Sequence, residues 1–138
     1  MPTIISYRKY IDALVTREIN LPQGNDHQRI GQEIATVDGV VYVSLPDGAI
    51  LPSAQPSEIT ASIAEVALTE SLRQEIKAAS PQVRLINTTV ADKIAASYSL
   101  ADEIKLLRTA PSAEFEAYNA HAEACRAWGR EQKAALGL

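Results

Sequence analysis

The stretch QEIATVDGVVYVSLPDGAILPS constrains the fold most. Two runs of β-prone residues, Ile34 to Val37 and Val40 to Leu45, are split by Asp38-Gly39. A two-residue Asp-Gly loop suits a type I′ turn, because Gly accepts positive φ at no steric cost and Asp tolerates it. Pro46-Asp47-Gly48 predicts a second turn, and Ala49 to Leu51 a short third strand. Val41, Val43 and Leu45 would share one face of this small antiparallel β-meander, and Val40, Tyr42 and Ser44 the other. Both faces carry apolar residues, so the meander should be covered on at least one side. Three short strands are marginal alone and need further structure.

The flanking segments suggest where that structure comes from. SYRKYIDALVTREI places Tyr7, Tyr10, Ile11, Leu14 and Val15 at the spacing of an amphipathic helix, with Ser6 as N-cap. NLPQGNDHQRIGQ is polar and rich in turn formers, and predicts a loop. LPSAQPSEITAS carries Pro52 and Pro56 and predicts a linker. The expected division is therefore 1–56, an N-terminal helix plus β-meander, and 57–138, a helical region.

The helical region has clear stop and start signals. Thr69 suits an N-cap for TESLRQEIKAA. Ser80-Pro81 restarts a helix, with Ser at the cap and Pro at the first position, where its missing N–H costs nothing. Val83, Ile86, Val90 and Ile94 form its apolar stripe, and a break is expected near Tyr98-Ser99. Ser99 caps the next segment, with Asp102 and Glu103 in the first turn, and Leu100, Ile104 and Leu107 continue the stripe. After the turn Thr109-Ala110-Pro111-Ser112, a long last helix carries Phe115, Tyr118, Ala122, Cys125 and Trp128. Two helices joined by a short turn predict an antiparallel helical hairpin. The fold class is α+β.

Charge and ligand arithmetic narrow the function. The net charge is −4. Residues 1–65 hold four Lys/Arg against eight Asp/Glu, whereas residues 66–138 hold nine of each. No basic stripe follows a phosphate backbone, so nucleic-acid binding is disfavoured. The first residues meet charge by Arg8 and lack the apolar core of a signal peptide. No apolar run is long enough to span a membrane, so a cytoplasmic location is expected. His27 and His121 are the only histidines, and Cys125 the only cysteine. His121 and Cys125 lie four residues apart on one helical face, but a structural zinc needs four ligands. A nucleophilic Cys–His pair normally draws on different elements facing a cleft. No metal, cofactor or catalytic residue is assigned. An enzyme with a site at His27 or His121 is the alternative, and a nucleic-acid-binding regulator a third reading. CRAWGREQK joins Trp128 to Arg126 and Arg130, which suits a packed indole with an Arg across it better than a base-stacking platform.

The last third, YSLADEIKLLRTAPSAEFEAYNAHAEACRAWGREQKAALGL, resembles the end of small tail-fibre-assembly and tail-chaperone-like proteins encoded in phage and prophage tail clusters. The matching positions in the first helix are Tyr98, Leu100, Asp102, Glu103, Leu107 and Arg108. In the second they are Glu114, Phe115, Tyr118, Asn119, Glu123, Cys125, Arg126 and Trp128. The resemblance implies a non-enzymatic role in tail assembly or structure. Its partners would be other tail proteins or a second copy of the chain, in the cytoplasm of the bacterial host or in the virion. Phe115, Tyr118 and Trp128 are the expected partner contacts, because large aromatics dominate interface energies. The same residues would otherwise close the hairpin internally.

Overall fold

A computed structural model describes residues 2–9 and 12–138. Strands β1 (Thr3–Tyr7), β2 (Gln32–Val37), β3 (Val40–Leu45) and β4 (Ala64–Glu65) form one sheet in the order β2-β3-β1-β4. Helices α1 (Ser57–Thr60), α2 (Glu70–Ala79), α3 (Pro81–Ser97), α4 (Leu100–Arg108) and α5 (Ala113–Ala135) complete the chain. Every strand pairing is antiparallel. The architecture is α+β, with the strands early and the longer helices late in the sequence. Contacts divide the chain into a sheet unit, residues 1–83 with 135–138, and a helical unit, residues 84–134. The expected division at 56/57 lies elsewhere.

The hairpin β2–β3 forms as its turn residues dictate. Asp38 and Gly39 both have positive φ, 51° and 78°, as a type I′ turn requires. An irregularity between Glu33 and Ala35 breaks the strict alternation, and Ile34 and Ala35 are both buried. Along β3, Val41, Val43 and Leu45 join Ile5, Tyr7, Ile19 and Ile59 in one core cluster. Tyr42 and Ser44 point to the opposite face and are buried too. Both faces of the strand are covered.

Three expectations are corrected in this unit. The N-terminal segment is strand β1 over Thr3–Tyr7, not a helix capped by Ser6. Its register runs from Thr3 opposite Leu45 to Tyr7 opposite Val41. The β-branched TIISY segment pays for no separate partner there, since Ile5 and Tyr7 complete the face of Val41 and Val43. Tyr10 and Ile11, two members of the expected helical stripe, lie outside the described residues. Leu14, a third, is 94% exposed, so this stripe does not face a core there. Second, Ala49–Leu51 is not a strand; β1 takes the place beside β3. Third, the Pro-containing segment is not a free linker. The Gln55 side-chain oxygen accepts from Asn20 N–H (2.8 Å), and its amide donates to Asn20 O (2.9 Å) and Pro52 O (3.0 Å). Ile59, just beyond Pro56, is fully buried in the sheet core.

The caps hold where the sequence places them. Thr69 Oγ1 accepts from Leu72 N–H (3.1 Å), and Ser80 Oγ from Val83 N–H (3.3 Å). α3 ends at Ser97 and α4 begins at Leu100, so the break falls at Tyr98-Ser99. Ser99 and Asp102 form a reciprocal capping box, each side chain accepting from the other's backbone N–H at 3.1 Å. Residues 135–138 belong to the sheet unit: Leu136 is buried, and a Cβ at Gly137 would meet Ile4 Cδ1 at 3.0 Å.

Candidate partner-contact surface

The helical unit is built on α3 and α5, which run antiparallel. Ile86 and Val90 face Gly129, Lys93 faces Trp128, and Tyr98 faces Tyr118. The long antiparallel pair is thus α3 with α5, and the shorter α4 lies between them in sequence. A Cβ on Gly129 would fall 2.7 Å from Val90 Cγ2, so this crossing needs a residue without one. Ile94, Tyr118, Ala122 and Cys125 form the core, with Val90, Tyr98, Leu106 and Phe115 half-buried around it.

The three expected contact residues take unequal positions. Tyr118 is buried, edge-on to Tyr98 at a centroid distance of 5.0 Å. Burial pushes its phenol pKa up, and the neighbouring Glu103 carboxylate adds to the shift by opposing a second negative charge. Phe115 is half-buried, 6.3 Å from the Tyr118 ring. Trp128 is half-buried, with the Lys93 ammonium 3.5 Å from the centroid of its ring. The cation on the indole is this lysine, where an Arg had been expected. All three aromatics therefore already make contacts within the chain.

The exposed apolar surface lies on α4. Leu100 is 72% exposed, Ile104 47% and Leu107 62%, and the helix has no fully buried residue. At positions i, i+4 and i+7 these side chains form one stripe. The sequence expectation that they continue the packed stripe of the helical region is corrected: Leu106, on another side of α4, packs against the core of α3 and α5, and Glu103, between the two, neighbours Tyr118. The signal was the adjacent pair Leu106-Leu107. Neighbouring residues on a helix point about 100° apart, so α4 carries two apolar lines and needs two partners.

The histidines stand apart from each other. His27 is exposed in a turn closed by Gly24 N–H to Gln28 O (2.9 Å) and Ile30 N–H to Pro22 O (2.7 Å), with φ 61°. His121 Nε2 lies 3.3 Å from Lys93 O and 3.7 Å from Cys125 Sγ. A carbonyl only accepts, so a hydrogen bond there puts the hydrogen on Nε2 and leaves that nitrogen no lone pair for the thiol proton. Among the described residues, no group of three or more His, Cys, Asp and Glu side chains is placed to hold a metal. No helix among them is long and apolar enough to cross a membrane. In the sheet unit a cavity of about 240 Å³ is lined by Tyr7, Glu18, Ile19, Arg29, Glu33 and Val43 among others, with no histidine on its wall. Comparison with family models, curated proteins and solved structures finds no match to the chain.

Proposed function

We propose that the protein is a phage or prophage tail-associated assembly or structural protein that acts through protein–protein contact, with α4 as the contacting element. The observation that carries this reading is the exposed stripe Leu100, Ile104 and Leu107. Full burial of a Leu or Ile side chain is worth about 1.5–3 kcal/mol relative to leaving it in water, so covering the stripe rewards association. The resemblance of residues 98–138 to the ends of tail-cluster proteins supports the setting. The role is non-enzymatic in this reading, and its place is the host cytoplasm or the virion. Its partners are other tail proteins or a second copy.

The test is removal of the coding sequence from its genome of origin, with complementation by wild type or Ile104→Asp. Intact tailed particles are then counted by electron microscopy. The wild type should restore the count and Ile104→Asp should not, although its circular dichroism stays that of the wild type. Particles unchanged by the deletion would sink the proposal.

A further inference from the structure

We infer that the partner on α4 is a second copy of this chain, docked with the two α4 helices parallel. The inference rests on the contact role proposed for α4 and adds the occupant and its orientation. Written as a heptad, Leu100 and Leu107 take d positions and Ile104 the a position between them. Among parallel arrangements, Ile at a with Leu at d favours two strands over three or four. Glu103 then falls at g and Arg108 at e, flanking the stripe on opposite sides.

Charge decides the orientation. In a parallel pair, g of one helix meets e five residues further along the other, so Glu103 meets Arg108 of the second copy, twice about the axis. An antiparallel pair centred on Ile104 would instead bring the two copies of Glu103 together and leave Arg108 apart. Arg108 has no ion-pair partner within the chain among the described residues, so it is free for that contact. Glu103 is half-buried, with the Tyr118 hydroxyl as a neighbour of its carboxylate. A carboxylate has about four acceptor sites, enough for both the phenol and a guanidinium.

The test is absolute mass by light scattering across the soluble concentration range, followed by cysteine cross-linking in a Cys125→Ala background. The wild type should pass from monomer to dimer. Glu103→Arg and Arg108→Glu should each weaken the dimer by about tenfold or more, because each sets like charges against each other twice. Mixing the two variants should restore it. Leu107→Cys should cross-link to itself under oxidation. A monomer throughout, a trimer, or cross-linking only between Leu100→Cys and Leu107→Cys would overturn the inference. Should Cys125→Ala fail to fold, the charge-swap mixture decides alone: no recovery on mixing overturns the pairing. A monomer whose Ile104→Asp variant still fails in tail assembly sinks the second copy but not the contact role. A dimer that tail assembly does not need sinks the contact role but not the pairing.

Discussion

The sheet unit and the helical unit bury their side chains to different depths. In the first, Tyr7, Ile34, Val41, Ile59 and Ile76 are each at most 1% exposed. In the second, Ile94, Tyr118 and Cys125 retain 8–9%, while the small Ala122 is fully covered. The difference follows from the elements. A sheet can be covered on both faces, as that of β3 is, whereas a pair of helices covers one stripe of each. A thin core leaves apolar side chains over, and α4 carries them.

The largest test of this contrast is Ile59→Ala. Emptying a fully buried Ile site costs about 2–5 kcal/mol. Urea denaturation followed by circular dichroism should show a clearly lower midpoint. Trp128 is the sole tryptophan and lies in the helical unit, so its fluorescence reports that unit. An equal shift in both signals would mean that the two units unfold as one, and the contrast would be geometric only.

A smaller effect is expected from Gly129→Ala. Helix propensity favours the change by about 1 kcal/mol. The clash with Val90 opposes it, and Val is stiff at χ1 in a helix. Overpacking costs about 1–3 kcal/mol, so the variant should be neutral to moderately less stable by the fluorescence midpoint. Adding Val90→Ala should leave Gly129→Ala less costly than it is alone. If Gly129→Ala is stabilising in the wild-type background, the helices are not held at this crossing by the missing Cβ.

Ser99→Ala should have the smallest effect, about 1 kcal/mol at neutral pH, from loss of the α4 cap. Hydrogen bonds from the Ser99 backbone and side chain, in that order, hold the Asp102 carboxyl below its ordinary pKa. A depressed carboxylate pKa stabilises the fold above the unfolded value, and that contribution is lost as pH falls through the folded one. Acid should therefore weaken the α4 cap, and Asp102→Asn should remove this part of the pH dependence. A stability–pH curve unchanged in Asp102→Asn would refute the coupling.

Local chemistry made parts of this fold legible. Asp38-Gly39, Thr69, Ser80-Pro81 and Ser99 act through neighbours a few residues away, and each is found in its expected role. β1 was not legible, because its partner β3 lies nearly forty residues further on and the local spacing imitates a helix. Ile59 looked like part of a linker for the same reason: its burial depends on residues remote in sequence. For the candidate surface, the aromatics of α5 drew attention by their size, yet the structure turns them largely inward. The aliphatic stripe of α4 was visible as a pattern, but not the side it would face.

The return of residues 135–138 to the sheet unit has a consequence for synthesis. Domains emerging from a ribosome generally fold in order, the earlier one first. Here the earlier unit includes the residues translated after all of 84–134. Leu136 and Gly137, which lie in the unit of Ile4, arrive only once α3, α4 and most of α5 have left the exit tunnel. The helices can therefore assemble before the strands receive the side chains of residues 135–138.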